Sequence, residues 1–80
     1  MKTITKEFRE LKRATLTEEY GAEYQFKLWE KGNHSRVYVN YRGKRSVGYI
    51  DLKTGIYTGD NNETYLAMVN EFMDKYMEEV

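Results

Sequence analysis

Apolar residues follow two rhythms along this chain. From Tyr24 to Ile56 they alternate with polar residues, the period of half-buried strands; on both sides they recur every three or four residues, the period of a helix with one buried face. Ile4, Phe8, Leu11 and one of Ala14 or Thr15 form such a stripe over residues 3–14, with Thr3 placed to cap the helix. Thr17-Glu18-Glu19 suits a further turn before Gly21 releases the chain.

In the middle, Tyr24, Phe26 and Leu28 alternate with Gln25, Lys27 and Trp29, and Lys31-Gly32-Asn33-His34 makes the first turn. Val37, Val39 and Tyr41 then alternate with Arg36, Tyr38 and Asn40. Asn40-Tyr41-Arg42-Gly43-Lys44 reads as a type I turn closed by a glycine bulge, with Gly43 where a positive φ is needed. That register predicts Val37 opposite Val47 and Val39 opposite Arg45, so that Val37, Val39, Val47 and Tyr49 share a face. Asp51-Leu52-Lys53-Thr54-Gly55 is a second glycine-closed turn, predicted to set Tyr49 against Tyr57 and Ile50 against Ile56.

Asn61 or Asn62 is placed to cap a final helix over residues 63–79. At roughly 100° per residue, Tyr65, Leu66, Met68, Val69, Phe72, Met73, Tyr76, Met77 and Val80 cover about half its circumference, opposite Glu63, Ala67, Glu71, Asp74 and Glu78. A helix lying on a sheet needs a narrower stripe. The extra width implies a second contact, either the N-terminal helix or another chain. Met68, Met73 and Met77 are flexible fillers of such a core. The expected fold is one α+β domain spanning residues 1–80: a four-stranded antiparallel β-meander flanked by an N-terminal and a long C-terminal helix, in the order α-β-β-β-β-α.

Composition narrows the physics. Eighty residues bury a marginal core, and with no cysteine neither a disulfide nor a thiolate metal site reinforces it. There is no proline to impose a break. No apolar run is long enough to cross a bilayer and no signal-peptide pattern is present, which points to a cytoplasmic protein without a membrane partner. In that setting Asn33-His34-Ser35 and Asn62-Glu63-Thr64 are chance matches to the glycosylation triplet.

A net charge of zero hides a strong sorting of sign. Residues 24–45 carry Lys27, Lys31, Arg36, Arg42, Lys44 and Arg45 against Glu30, together with Tyr24, Phe26, Trp29, Tyr38 and Tyr41. Residues 59–80 carry Asp60, Glu63, Glu71, Asp74, Glu78 and Glu79 against Lys75. The two stretches are +5 and −5. Overall neutrality argues against general affinity for nucleic acid, because that needs a large positive field.

Chemistry is poorly provided for. The single histidine, His34, falls in a hairpin turn, and nothing fixes Ser35 or Ser46 against it as a nucleophile. Glu18-Glu19 and Glu78-Glu79 are adjacent, so on a helix they diverge and do not share a site. The glycines form neither G-x-G-x-x-G nor a P-loop, and one histidine with scattered acids does not make a metal site. The expectation is a protein that is not an enzyme and uses no cofactor.

Two surfaces remain. The outer sheet face is expected to present Lys27, Trp29, Arg36, Tyr38, Asn40 and Arg42, extended by Lys44, Arg45 and Ile50. Rings interleaved with cations suit nucleic acid, where bases stack and phosphates pair, and suit protein hot spots equally. A bland reading stands beside these: cross-strand pairing on a solvated face, with Trp29 shielding Tyr38 and arginine stems covering both. The second surface is the acidic stripe Glu63, Glu71, Asp74 and Glu78. It is ordinary as the polar side of a helix, yet nearly free of cations, and Asp74, Glu78 and Glu79 oppose the helix dipole.

The helix–meander–helix order and the run from Glu63-Thr64-Tyr65 through Glu78-Glu79 resemble small phage and mobile-element proteins that block bacterial defence, anti-CRISPR proteins in particular. That resemblance implies a short α/β inhibitor with a charged helix. The segment from Arg36 to Met73, a basic hairpin, a strand and then a helix, resembles the arm-type DNA-binding domains of integrases and plant AP2 domains, in which a small sheet enters the major groove. Against that stands the strand Val47-Gly48-Tyr49-Ile50-Asp51, which has no cation. The reading that follows is a non-catalytic protein–protein inhibitor or regulator of phage or mobile-element type. Its partner would be a protein, including a nucleic-acid-binding complex with a basic groove. The alternatives are a nucleic-acid-binding module using the sheet face and a homodimer joined through the wide apolar side of the last helix.

Overall fold

Alternation of side chains about the strand axis organises most of the chain. The computed structural model describes residues 2–79, as β1 (Lys2–Ile4), α1 (Lys6–Leu11), β2 (Arg13–Thr17), β3 (Glu23–Lys31), β4 (His34–Tyr41), β5 (Arg45–Asp51), β6 (Ile56–Gly59), α2 (Glu63–Tyr76) and β7 (Met77–Glu79). Strands β2 to β6 form one antiparallel meander in chain order, and β1 pairs with β7 in a separate two-stranded ribbon. The α+β class and the antiparallel sheet are as expected. The sheet has five strands, and the N-terminal helix is short.

The long helix predicted over residues 3–14 is interrupted twice. Ile4 belongs to β1, opposite Met77, and Thr5 rather than Thr3 caps α1, its hydroxyl accepting from the Phe8 N–H at 3.2 Å. Lys12 then takes a left-handed conformation (φ 63°) and ends the helix, its N–H donating to the Phe8 carbonyl. Beyond it the sequence alternates again: Ala14 and Leu16 face inward while Arg13, Thr15 and Thr17 face out. Leu11, assigned to the core by the helical stripe, is exposed.

The second glycine-closed turn differs from prediction by one residue and the first by two, rising to three beyond a bulge, and the inner face changes accordingly. Arg42 (φ 54°) and Gly43 (φ 69°) have the φ signs of a type I′ turn, which matches strand twist better than type I. Val37 faces Ile50, Val39 faces Gly48 and Asn40 faces Ser46, which leaves Val47 unopposed as a β-bulge. The bulge lets Val47 and Ile50, three residues apart, both point into the core, and it turns Tyr49 outward. After β5, the Asp51 carboxylate accepts from the Lys53 N–H at 2.8 Å and the Asp51 carbonyl accepts from the Gly55 N–H at 2.7 Å. The resulting four-residue loop places Ile50 against Tyr57 and Tyr49 against Thr58. The first hairpin is as read: Lys31 faces His34 across Gly32 and Asn33.

The bulge is locked by its neighbour. Tyr57 lies over Gly48, and its hydroxyl stands 3.1 Å from the Val47 carbonyl and 3.0 Å from the Asp60 carbonyl. The Asp60 N–H also donates to Val47, at 2.8 Å. A side chain has no room here, because a Cβ on Gly48 would meet the Thr58 carbonyl oxygen at 2.5 Å.

Asn62 caps α2 by accepting from the Thr64 N–H at 2.8 Å. The helix covers the inner face of the sheet with Met68, Val69, Phe72 and Tyr76. Phe72 is the centre: it stacks on Phe26 at 4.4 Å and 9°, meets Phe8 edge-on at 4.9 Å, and lies 5.3 Å from Tyr76. The extra apolar width of α2 is thus taken up within the chain, by Phe8 of α1 at one end and by Tyr24 and Tyr41 against Tyr65 at the other. The helix ends at Tyr76, so Glu78 and Glu79 lie in β7, where they do not load the helix C-terminus. Asp74 alone opposes the dipole there, next to Lys75.

Candidate binding face

With α2 on the inner side, the outer side of the sheet faces solvent. Residues paired across antiparallel strands share a face. The register therefore lays Arg13, Lys27, Tyr38, Tyr49 and Thr58 in one row across all five strands. Thr15, Gln25, Asn40 and Ser46 form a second row. Trp29, Arg36, Asp51 and Ile56 form a third. A shallow groove of about 620 Å³ crosses these rows, lined by Lys12, Arg13, Lys27, Leu28, Trp29, Tyr38, Asn40 and Ser46. Its lining holds three cations and no acid.

The rings are organised by each other and by one arginine. Tyr38 sits between Trp29, edge-on at 6.4 Å, and Tyr49, tilted at 5.8 Å. Arg36 donates to the Tyr38 hydroxyl at 3.3 Å, and its guanidinium lies 4.3 Å above the Tyr49 ring. That hydrogen bond is the main reason its already high pKa rises further. Trp29 remains 48% exposed, so the most polarisable ring of the face is open to a partner. Arg9 holds Glu30 at 2.9 Å beyond the end of the groove.

Of the residues predicted for this face, Lys27, Trp29, Arg36, Tyr38 and Asn40 are brought together. Arg42, Lys44 and Arg45 are not. Arg42 and Lys44 sit in the β4–β5 turn and Arg45 at the start of β5; Arg42 lies over the inward-facing Tyr41 at 5.2 Å and Arg45 pairs with Asp60 at 3.2 Å. Ile50 is fully buried. Lys12, Arg13 and Tyr49 join them unpredicted: the helical period of residues 3–14 conceals the first two, and the bulge at Val47 turns the third outward. The alternation Ala14, Leu16 against Arg13, Thr15, Thr17 was the available signal. On the far side, Glu63, Glu71 and Asp74 are exposed along α2, while Glu78 stands opposite Thr3 in the ribbon, off the helix. Among the described residues these four acids make no ion pair.

Behind the sheet, the Tyr24 hydroxyl is buried without a hydrogen-bond partner. Burial first, then the Glu18 carboxylate, pushes its pKa up to about 12. The unfolded chain ionises a tyrosine near pH 10, so the folded state holds a proton that the unfolded state has lost. Stability is then intact below about pH 10 and falls as pH rises through about 12. Urea midpoints measured across that range should drop for the native chain and drop less for Tyr24→Phe. Equal alkaline sensitivity in both would contradict this.

No protein-family model matches the chain, and comparison with curated proteins and with solved structures gives no match.

Proposed function

We propose that this is a non-catalytic binding protein that takes a single-stranded nucleic acid across the outer face of its sheet. The observation that carries the reading is the groove: Lys12, Arg13 and Lys27 lie beside Trp29 and Tyr38, with Asn40 and Ser46 at hand and no carboxylate in the lining. Cations meet phosphates, exposed rings stack bases, and amides and hydroxyls bond base edges. Sheet placement answers the difficulty of the cation-free stretch 47–51 of β5, because Arg13 of β2 supplies on one side what that stretch lacks on the other.

The test is a titration with labelled single- and double-stranded DNA and RNA at low and moderate salt. Single strands should bind with a steep salt dependence. Trp29→Ala should cost about 1–3 kcal/mol, the worth of one stacked base, and Arg13→Ala with Lys27→Ala should remove binding. Glu71→Lys, on the opposite side, should leave affinity no weaker. Absence of binding at low salt would end this reading.

The alternative, a protein–protein inhibitor or regulator of phage or mobile-element type, is favoured by Glu63, Glu71 and Asp74 on the exposed side of α2, which make no ion pair among the described residues. Such acids suit a basic groove on another protein. Reversing Glu71 and Asp74 to lysine would then destroy activity while Trp29→Ala left it unchanged.

A further inference from the structure

On the inner side of the sheet, at the mouth between β3, β4 and the start of α2, lies a polar cup of about 220 Å³ lined by Glu18, Tyr24, Tyr41, Asn62, Thr64 and Tyr65. We propose that this cup binds a primary alkylammonium group, carried by a free amine or by a lysine side chain. It lies across the sheet from the groove, so this proposal and the preceding one stand or fall separately.

Three observations converge. The first is the Tyr24 hydroxyl, fully buried in a fully buried residue and without a partner. An orphaned buried hydroxyl is costly, and a donor arriving in the cup would recover that cost. Tyr24 is wedged against the two other rings of the lining, 5.2 Å from Tyr41 and 5.9 Å from Tyr65. The charge that most affects its hydroxyl is Glu18, also in the lining. The three groups whose charge raises its pKa, Glu18, Tyr41 and Tyr65, all line the cup.

The second is charge. Glu18 is the only formally charged residue in the lining, and one of its oxygens is engaged, accepting from the Ala22 N–H at 3.3 Å. Among the described residues no hydrogen bond or ion pair engages the other. The charge of Arg42 also reaches Tyr24, but Arg42 lies exposed over Tyr41 and lines a neighbouring recess with Tyr20, Gly21, Ala22 and Glu23 rather than the cup.

The third is the wall chemistry. Tyr41 and Tyr65 meet at 5.6 Å and present aromatic surface, which attracts a cation, and Tyr24 and Thr64 supply hydroxyl acceptors. An ammonium has three N–H donors and no acceptor. Glu18, the Tyr24 oxygen and the Thr64 hydroxyl are three acceptors of the matching kind. A quaternary ammonium would satisfy the rings and the charge but leave the Tyr24 hydroxyl unpaired, so the primary amine is favoured.

The experiment is a titration of the full chain with butylammonium chloride, followed by backbone amide chemical shifts at Ala22 and Thr64 and by melting temperature. Saturable shifts at both amides and a rise in melting temperature are expected. Glu18→Gln keeps an acceptor for the Ala22 N–H, so it should fold, and it should bind at least about tenfold more weakly through loss of the charge-assisted bond. Tyr24→Phe should fold at least as stably as the native chain and also bind more weakly. Tetramethylammonium and potassium serve as controls and should shift neither amide saturably. Comparison with an N-acetyl, C-methylamide lysine distinguishes the sources: tighter binding than butylammonium points to a lysine side chain, equal or weaker binding to a free amine. No saturable shift with butylammonium, or equal shifts with potassium, would overturn the proposal and leave the cup a hydration site.

Discussion

Replacing Phe72 with alanine is expected to remove a large share of the stability of the fold. Phe72 has no exposed surface, and it is the residue through which the three layers of the core touch: β3 through Phe26, α1 through Phe8, and the end of α2 through Tyr76. A buried Phe→Ala change costs about 3–5 kcal/mol, from lost transfer energy and from the cavity left behind. A chain of 80 residues has a total stability on the order of 4–12 kcal/mol at typical values per residue. The loss is therefore a large share of the whole. Relaxation cannot recover much of it, because Phe26 and Phe8 are fixed by a strand and by a capped helix. Circular dichroism and urea unfolding would measure it. A cost below about 1 kcal/mol, the centre of the ordinary range for point changes, would show that the aromatic cluster is not the centre of the core. Phe72→Leu, which refills most of the volume, should cost much less.

Gly48→Ala should be among the most damaging single methyls that can be added to this protein. The new Cβ would stand 2.5 Å from the Thr58 carbonyl oxygen and 2.7 Å from the Tyr57 ring and hydroxyl. The ring alone could swing aside; the carbonyl is backbone. Gly59, across the same pair of strands, is closed more tightly still, with the Val47 carbonyl and the Gly48 Cα against its missing side chain and a positive φ besides. Parting β5 from β6 would break the Tyr57 hydroxyl contacts to Val47 and Asp60 and the Asp60 N–H bond that hold the bulge. Overpacking costs about 1–3 kcal/mol, occasionally more, and this case belongs at the upper end. Gly21→Ala is a useful control: nothing lies near its missing side chain, so only its positive φ is penalised. Equal denaturation midpoints for Gly48→Ala and the native chain would refute the argument.

What the sequence disclosed followed how local the cause was. The Gly32-Asn33 turn, the alternation through β3 and β4, and the Asn62 cap all rest on neighbours in sequence, and each was legible. The β4–β5 register was not. It depends on Val47 being extruded, which depends in turn on Gly48 accepting the Tyr57 ring from β6, a partner nine residues on. The N-terminal segment failed for a related reason. Ile4, Phe8 and Leu11 satisfy a helical period by themselves, and only pairing of Ile4 with Met77 at the other end of the chain reassigns the first of them. The binding face inherited both errors: its outer strand was hidden inside a supposed helix, and Tyr49 was assigned to the core. The tyrosine cup was illegible altogether, since Glu18, Tyr24, Tyr41 and Tyr65 meet only after the sheet and helix have formed.

The β1–β7 ribbon also governs how the molecule answers to force. Lys2 lies opposite Glu79 and Ile4 opposite Met77, so the outermost pair is the one nearest both ends of the chain. Tension applied at those ends loads the pairs one after another, as a zip is opened, rather than all together in shear. The ribbon should therefore yield first and at low load. Its last pair, Ile4 with Met77, adjoins the bond from the Thr5 N–H to the Tyr76 carbonyl, which ties the start of α1 to the end of α2. Once that tie parts, α1 peels from Phe72 and exposes the aromatic cluster, while the five-stranded meander is still intact. A protein pulled through a narrow pore from either end would thus surrender its core before its sheet.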